Sequence, residues 1–317
     1  NKPHLTIRSE NGADSTIVHA ANPDDYVFEV TANYTNLSGF TINGGHTGIS
    51  IIKCGSSRII NNKILNNTQV GIYLSYSNDN LFQNNFIRYS HYGIVLKMSN
   101  INRISNNTLS DTFYAITLGH LNTNNTIESN EIFGNERGIW FHKDFGGYPR
   151  DNVLRNNSIH NNIYGLYFNE VYNNTIYLNN FIKNSVNVYS YHSTNLWNST
   201  EKITYTYKGK TYTNYLGNYW NDYTGSDADG DGIGDTPYSI DSDKDNYPLM
   251  ERFENYFVLP TQYGVYVCVP SCAPKIISAF PGSNISFVLK VENIGTEEDT
   301  VLLNVTDELD WDFEYPE

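Results

Sequence analysis

A run of aspartates near residue 230 is the stretch of this sequence with the clearest chemical signal. It reads Asp227-Ala-Asp229-Gly-Asp231-Gly232-Ile233-Gly-Asp235. Carboxylates at positions 1, 3, 5 and 9, a glycine at position 6 and a carbonyl at position 7 match the first part of an EF-hand loop, whose oxygens wrap one Ca²⁺. The pattern therefore predicts a calcium site, with the Ile233 carbonyl as one of its ligands.

The acidic loop lacks the last ligand of an EF-hand. Its twelfth position is Tyr238, where a bidentate glutamate is usual. Oxygens from the following turn are candidates to complete the site, namely Asp241, Asp243 and Asp245. So many like charges repel each other without a cation, which favours Ca²⁺ over the alternative of a solvated acidic turn. The loop holds no nucleophile or general acid, so we expect the metal to support structure.

Aromatic residues inside a recurring Gly-Ile-x-Leu segment give a second chemical signal. Strict alternation of apolar side chains is typical of a strand, so the residue between Ile and Leu points outward. If the segments stack, their outward residues form an aromatic strip on which flat sugar rings would pack. The alternative is ordinary solvent-facing aromatics, which strands favour. The candidate carbohydrate contacts are Tyr73, Trp140, His142, Asp144 and Tyr167.

Catalysis on this strip is the alternative to binding alone. A glycosidase needs two carboxylates at a set separation, and a lyase needs a base with a charge-neutralising group. Asp144, His142, Lys97, Arg137 and Tyr167 are candidates to converge there. No motif requires such a centre, so we expect no catalytic residues and retain a polysaccharide lyase or glycoside hydrolase as the second hypothesis.

An asparagine-centred repeat must position both groups of residues. The unit is Asn-x-apolar-x-x-Asn-x-apolar followed by Gly-Ile-x-Leu, and a fixed period of this kind indicates stacked repeats. We predict an all-β fold, a right-handed parallel β-helix, with the asparagines in the left-handed conformation at a corner and hydrogen-bonded in a column. The second asparagine recurs at steps of 23, 22, 23, 27 and 22 residues, as Asn62, Asn85, Asn107, Asn130, Asn157 and Asn179.

Changes in composition divide the chain into three predicted parts. Residues 1–200 form the β-helix, whose coils we expect to be irregular up to about residue 56, and the 27-residue step marks an insertion at 142–151. Residues 201–256 form a cap with a hairpin over 203–215, because an open solenoid end exposes apolar residues and strand edges. Residues 257–317 read as a small Ig-like β-sandwich that we expect to be incomplete in this sequence.

The repeat and the cap together resemble the NosD-like branch of the right-handed parallel β-helix proteins. Gly217-Asn-Tyr-Trp-Asn-Asp-Tyr, through Asp245-Asn-Tyr-Pro-Leu, is similar to the C-terminal signature of that family. The resemblance covers roughly residues 1–255 and implies the fold and an exported location. It implies activity poorly, because β-helices host lyases, hydrolases, adhesins and scaffolds alike. Copper handling, which the family name suggests, lacks support: the chain has two methionines and no His-rich or Met-rich cluster.

Composition narrows the range of partners. A net charge of −14 argues against nucleic acid and anionic membrane surfaces, and no apolar run is long enough to span a membrane. Residues 262–317 resemble the Ig-like domains that follow such helices in archaeal surface proteins. We therefore predict an extracellular, cell-surface structural or adhesive protein whose partners are carbohydrate or other surface proteins. Homo-oligomers and surface-layer assembly stay open.

Cysteines and glycosylation sequons are weaker signals. Cys54 is expected to be buried as a small hydrophobic residue, whereas Cys268 and Cys272 form either a small-loop disulfide or two free thiols. The sequons permit glycosylation without proving it, because composition alone explains nearly all of them. They are Asn33, Asn36, Asn66, Asn106, Asn124, Asn156, Asn173, Asn198, Asn284 and Asn304.

Overall fold

Short parallel strands wind into a solenoid in the first of two compact units, residues 1–257 and 258–317. The computed structural model describes residues 2–143, 147–241 and 243–257, with the backbone of Val265–Cys268 and Lys290–Asn293. Each turn of the solenoid gives one strand to each of three sheets, here called A, B and C, and about eight turns are complete. The all-β parallel solenoid that the repeat predicted is therefore confirmed.

All pairings within the three sheets are parallel. Sheet A contains β1 (Thr6–Arg8), β4 (Asn36–Ser38), β7 (Arg58–Ile60), β10 (Leu81–Gln83), β13 (Arg103–Ser105), β16 (Thr126–Glu128), β19 (Val153–Arg155), β22 (Tyr172–Tyr177) and β25 (Thr194–Leu196). Sheet B contains β2 (Ile17–His19), β5 (Thr41–Asn43), β8 (Lys63–Leu65), β11 (Phe86–Arg88), β14 (Thr108–Ser110), β17 (Glu131–Phe133), β20 (Ser158–His160), β23 (Asn180–Ile182) and β28 (Tyr219–Trp220). Sheet C contains β3 (Tyr26–Val30), β6 (Thr47–Ile52), β9 (Val70–Ser75), β12 (Tyr92–Lys97), β15 (Tyr114–Gly119), β18 (Arg137–His142), β21 (Tyr164–Asn169) and β24 (Val186–Tyr191).

Stacked aliphatic side chains fill the interior of the solenoid. On sheet C, Ile72, Ile94, Ile116 and Ile139 pair in register from turn to turn and are fully buried. A single turn cannot bury such a face alone, so stability arises mainly from contacts between neighbouring turns.

Buried asparagines form a hydrogen-bonded ladder at the corner between sheets A and B. Asn85 donates from Nδ2 to Oδ1 of Asn107 at 3.0 Å, and its backbone N–H donates to the same oxygen at 2.9 Å. Asn107 continues the ladder to Asn130 at 3.0 Å. The rungs are Asn62, Asn85, Asn107, Asn130, Asn157, Asn179 and Asn218.

Two further ladders occupy the other corners. The ladder between sheets C and A is formed by the first asparagine of the sequence pattern, to which the prediction gave no role. A shorter ladder lies between sheets B and C. The first contains Asn80, Asn102, Asn125, Asn152, Asn174 and Asn195. The second contains Asn135, Asn162 and Asn184.

The left-handed residue at the corner between sheets A and B is the one that precedes the ladder residue. Asn61, Asn84 and Asn106 have φ values of 56°, 54° and 54°, whereas Asn62 and Asn85 are not in this region. The prediction that the ladder asparagines themselves adopt this conformation is therefore wrong. The preceding residue makes the turn, and the ladder residue can then direct its amide inward.

The first turns of the solenoid are regular, contrary to the expectation of irregular coils up to about residue 56. Strands β1 to β6 join the three sheets in register with the later turns. The pattern was hidden because Phe40 occupies a ladder position. Its backbone N–H still donates to Oδ1 of Asn62 at 3.1 Å, although it has no amide to continue the ladder.

The predicted cap covers the C-terminal end of the solenoid core. Hairpin β26 (Ile203–Tyr207) and β27 (Lys210–Asn214) turns at the positive-φ residues Lys208 and Gly209, as predicted. A second hairpin, β29 (Tyr238–Ile240) and β30 (Asp243–Asp245), is followed by a 3₁₀-helix, Phe253–Tyr256. The ring of Trp220 stacks between Phe181 at 4.4 Å and Tyr238 at 4.2 Å, joining the cap to the last turns.

The second unit contains one described strand pair. Strands β31 (Val265–Cys268) and β32 (Lys290–Asn293) are antiparallel. The Ig-like sandwich stays a prediction, because most of residues 257–317 lie outside the described part of the chain.

Asn107→Ala should lower the free energy of unfolding by at least about 3 kcal/mol. The change removes the acceptor shared by the backbone N–H and the side-chain amide of Asn85, and it removes the donor to the Phe82 carbonyl. Each buried group that loses its partner costs about 1–3 kcal/mol. Urea unfolding followed by circular dichroism measures the loss. The neighbouring Asn106→Gly is the control and should change stability by less than about 1 kcal/mol, since Gly accepts a φ of 54°. Equal effects of the two changes would contradict the ladder account.

Candidate functional site

The outward face of sheet C carries the predicted aromatic strip. Parallel pairing brings one outward residue of each strand into a column, and these residues are Tyr73, Val95, Thr117, Trp140, Tyr167 and Tyr189. A parallel column beside it contains Tyr92, Tyr114, Arg137 and Tyr164. We call these two columns, with Lys97 and His142 on the next outward position, the aromatic strip.

A guanidinium lies at the centre of the aromatic strip. The Cζ atom of Arg137 is 3.9 Å from the ring centroid of Tyr167, 4.7 Å from that of Trp140 and 5.0 Å from that of Tyr114. Each such cation–π contact is worth about 0.5–2 kcal/mol, depending on desolvation. Three strands therefore present one cation inside a cage of aromatic rings.

Two nitrogen donors of this cage lack hydrogen-bond partners. Arg137 Nε and Trp140 Nε1 are both buried, and neither meets an acceptor within the described residues. Buried polar atoms are nearly always paired. A ligand can reach only donors that keep accessible surface, and the terminal guanidinium nitrogens of Arg137 are not among these buried atoms. Burial also raises the pKa of the Tyr92 phenol, with a further contribution from Tyr114.

His142 borders the cage because a glycine on the next strand leaves room for its ring. It stacks on Trp140 with 4.2 Å between ring centroids. A Cβ atom on Gly119 would lie 2.6 Å from Cε1 of His142, so any larger residue there would displace the imidazole. His142, Trp140, Tyr73 and Tyr167 thus share one face, whereas Asp144 lies outside the described residues.

The described part of the insertion packs at the corner between sheets C and A. Gly147 lies against Leu121, and the ring of Tyr148 makes an edge contact with that of Tyr172 at 4.9 Å. Arg150 and Thr123 form an isolated parallel β-bridge. Residues 144–146, the tip nearest to His142 in sequence, are not among those described.

The acidic loop brings together three of its predicted metal ligands. Carboxylate oxygens of Asp227, Asp229 and Asp231 lie within 4.8 Å of one another, so this aspartate triad could hold a metal ion. The backbone is held by tyrosine hydroxyls that donate to the carbonyls of Gly230 and Asp231 at 2.8 and 2.9 Å. The pKa of Asp231 is raised, first by burial and then by its charged neighbours.

Asp235 and Ile233 stabilise the loop that carries the triad. The Asp235 carboxylate accepts hydrogen bonds from Ser226 Oγ at 2.8 Å and the Ala228 N–H at 3.0 Å, which closes the loop. Ile233 is buried and forms a bridge with Leu249. The structure does not place either residue in the triad.

The remaining predicted ligands terminate the solenoid. Asp241 accepts from the Ser190 N–H at 2.7 Å, and Asp243 accepts from the Asn195 N–H at 2.9 Å. Asp245 is fully buried and accepts from the backbone N–H of Asn218 at 2.7 Å. The predicted metal ligands therefore do not form one group. These three carboxylates accept hydrogen bonds from N–H groups of the last turn instead.

The capping role escaped sequence reasoning, although a signal was present. A tryptophan stands two residues after each last ladder asparagine, and Trp197 and Trp220 donate from Nε1 to Asp243 at 3.1 Å and to Asp245 at 3.0 Å. The two aspartates stand two residues apart, as do the asparagine and the tryptophan that donate to each of them.

The sequons fall mostly at corners. Most of the described ones are at least partly exposed, but Asn198 is buried and donates to the Ser199 carbonyl at 2.8 Å. Several are left-handed corner residues, which gives a backbone reason for asparagine there; these are Asn66, Asn106, Asn124, Asn156 and Asn173. Asn33 is exposed and Asn36 is half-buried, whereas Asn284 and Asn304 lie outside the described residues.

The cysteine predictions have separate outcomes. Cys54 is a buried free thiol, as predicted, and lies 3.3 Å from the Val30 carbonyl oxygen. The Cys268–Cys272 pair lies outside the residues whose side chains are described. No helix within the described residues is long and apolar enough to cross a membrane.

Residues 9–225 match the profile of the family described as "Periplasmic copper-binding protein (NosD)". The match extends over more than half of the 317 residues. The chain belongs to the NosD family. No curated protein matches this NosD-family chain significantly.

Three solved structures are similar to part of this NosD-family chain. The A-module of mannuronan C-5 epimerase AlgE6 from Azotobacter vinelandii is 15% identical with a TM-score of 0.48, over 61% of this chain and 56% of the module. An alginate lyase from Paenibacillus sp. str. FPU-7 is also 15% identical, with a TM-score of 0.46 over 61% of this chain and 84% of the lyase. Pectate lyase Pel9A is 13% identical, with a TM-score of 0.46 over 61% of this chain and 65% of the lyase.

The described residues of this NosD-family chain do not fit the copper of the family description. Copper favours imidazole, thiolate and thioether ligands. Within the described residues, the one group of three or more His, Cys, Asp or Glu ligands is the aspartate triad, which offers hard oxygens. Cys54 is buried beside a backbone carbonyl, away from such a group.

The stability contribution of Asp245 should fall as pH rises. Burial raises the pKa of its carboxyl from 3.8 to about 6, against hydrogen bonds from Tyr247, Asn218 and Trp220. The folded state then binds more protons than the unfolded state between these values, so stability is present below pH 3.8 and is lost as pH passes 6. The difference corresponds to about 3 kcal/mol.

Comparison with Asp245→Asn isolates this group from other titrating residues. The stability of the wild type relative to Asp245→Asn should decrease by about 3 kcal/mol between pH 4 and pH 7, measured by urea unfolding. A difference that increases with pH would mean that the hydrogen bonds outweigh burial and keep the carboxylate ionised.

Proposed function

We propose that this protein is an exported β-solenoid that binds carbohydrate along the aromatic strip. The observation that carries the proposal is the cage of Tyr114, Trp140 and Tyr167 around Arg137, whose terminal N–H groups have no acceptor within the described residues. Aromatic faces pack against the apolar faces of sugar rings, and unpaired N–H groups can donate to sugar oxygens.

The composition of the strip favours binding over hydrolysis. Between β9 and β24, the outward columns of sheet C contain no Asp or Glu among the described residues. A glycoside hydrolase needs two carboxylates flanking the bond that breaks. An adhesive or structural role is therefore the preferred function, and a polysaccharide lyase is the outcome that the experiment below would reveal.

The exported location is part of the same proposal. Its support is membership of a family described as periplasmic. Display at the cell surface, glycosylation of the exposed sequons, and a sandwich domain after the solenoid belong to the proposal as finer parts. Immunodetection on intact and permeabilised cells would separate surface display from retention within the envelope.

Trp140→Ala should weaken carbohydrate binding at least tenfold. The change removes the ring that lies against both Arg137 and His142, and a tenfold loss corresponds to about 1.4 kcal/mol. A glycan array followed by calorimetry on the bound glycans measures it. Phe133→Ala is the control, because this ring stands on the outward side of sheet B against His160, and it should leave affinity unchanged.

Two outcomes would overturn the binding proposal. One is that no glycan binds the wild type, or that Trp140→Ala binds as well as the wild type. The other is depolymerisation of a bound polysaccharide that is lost in His142→Ala or Tyr167→Phe, which would establish the enzymatic alternative.

We propose that the aspartate triad binds Ca²⁺ in a structural role. Oxygens of Asp227, Asp229 and Asp231 lie within 4.8 Å of one another on a loop held by two tyrosine hydroxyls. Hard oxygen ligands suit Ca²⁺ better than softer metals. The loop supplies only part of a full coordination shell, so water completes it in this proposal.

Saturating Ca²⁺ should raise the melting temperature, and EDTA should reverse the rise. A ligand that binds only the folded state at 100 times its Kd adds about 2.7 kcal/mol. Asp229→Asn should abolish the shift, because it removes a triad charge at an exposed position. Asp24→Asn, which makes the same charge change at another exposed site, should retain it. An equal shift in both variants would exclude binding at the triad.

A further inference from the structure

We infer that the ligand of the aromatic strip is an acidic saccharide whose carboxylate pairs with Arg137. This inference rests on the proposed carbohydrate-binding function and adds the chemical class of the sugar. It follows from the state of one cation, which aromatic rings enclose and which forms no ion pair within the described residues.

Several solenoid arginines are matched with carboxylates from their own or neighbouring turns. Arg88 pairs with Asp111 at 2.7 Å, and Arg155 pairs with Glu128 at 2.7 Å. Arg103 also pairs with Glu128. Arg137 forms no ion pair or hydrogen bond within the described residues, although it is more enclosed by rings than these arginines are.

The aromatic cage does not satisfy the guanidinium by itself. Cation–π contacts offset part of the cost of removing the charge from water, but they provide no acceptor for the terminal N–H groups of Arg137, which form no hydrogen bond within the described residues. A guanidinium presents its N–H groups in a planar fork that matches a carboxylate in two parallel hydrogen bonds. A carboxylate on a sugar ring stacked in the cage would therefore supply the missing acceptor. Neutral sugar hydroxyls would leave the charge unmatched.

The charges around the cage select for an anion. The whole chain carries a net charge of −14, yet the outward columns between β9 and β24 hold cations and no described carboxylate. Lys97 lies on β12, two strands from β18, which is about 10 Å along the stack. Lys97 also has no ion pair within the described residues. A polymer with carboxylates on successive units could contact both cations, whereas the rest of the surface would repel it.

Matched acidic and neutral oligosaccharides test the inference. The probes are oligogalacturonate, oligomannuronate and the carboxyl-reduced form of each, which keeps linkage and length and removes the charge. Wild-type protein should bind at least one acidic probe at least tenfold more tightly than its reduced form in calorimetry at low salt. Raising NaCl should weaken the acidic probe selectively, because salt screens the ion pair.

Substitutions at Arg137 assign the preference to this residue. Arg137→Gln should remove the acidic preference and leave the affinity for the reduced probe within about threefold, since the rings remain. Arg137→Lys should retain part of the preference, because it keeps the charge but loses the fork. Arg150→Gln is the matched control, since Arg150 is an exposed arginine paired with Asp151, and it should bind like the wild type. Lys97→Gln supplies a second test if Arg137→Gln fails to fold, and should lower the acidic preference at least threefold.

The outcomes separate the inference from the proposed function. Equal binding of acidic and reduced probes by the wild type would overturn the acidic class and leave carbohydrate binding intact. An acidic preference that survives both Arg137→Gln and Lys97→Gln would also overturn it. Absence of binding to every glycan tested would overturn the proposed function together with the inference.

Discussion

Amide hydrogen bonds at the corners of the solenoid are the constraint on which the rest of the structure depends. Asn107 Oδ1 accepts two bonds from Asn85, while its Nδ2 donates to two carbonyls and to Asn130. A buried amide that lost these partners would cost more than its hydrogen bonds contribute. A one-residue slip would break such a ladder, so the ladders fix the register between turns. That register also decides which side chains form the strip on sheet C.

At two of the three corners the asparagine ladder ends on a carboxylate, a group that only accepts. At the C-terminal end Asp243 and Asp245 receive the bonds that another asparagine would otherwise receive. Asparagine there would present an amide with no further carbonyl to meet, whereas a carboxylate has no proton to place. Burial of Asp245 raises its pKa to about 6, which is the cost of ending the ladder inside the core. The two acidic turns of the sequence therefore have different roles: the first forms the aspartate triad, and the second ends these ladders.

The strands and the strip could be predicted from sequence because parallel in-register pairing copies the sequence period directly into space. Trp140 and Tyr167 are 27 residues apart, and the inserted residues leave the pairing unchanged. Other features depend on contacts that a period does not encode. The aspartate caps act on Asn195 and Asn218, 48 and 27 residues earlier in the chain. The left-handed corner was misplaced by one residue because asparagines often occupy both positions. The first turns were expected to be irregular because Phe40, which stands at a ladder position, contributes only its backbone.

Buried polar groups are paired differently in the interior of the solenoid and on the aromatic strip, and this difference is the reason to look for function on the strip. No asparagine side chain within the described residues is buried without a hydrogen-bond partner, even at the turn that holds the insertion. The unpaired Arg137 Nε and Trp140 Nε1 differ from these amides, although several buried hydroxyl groups within the described residues also lack a partner. Both stand on one strand, on the outward face, between rings from neighbouring turns. Packing of the core does not require a cation there, and the ladders do not reach it. A ligand that brings its own acceptor completes this site by the same rule that the interior obeys.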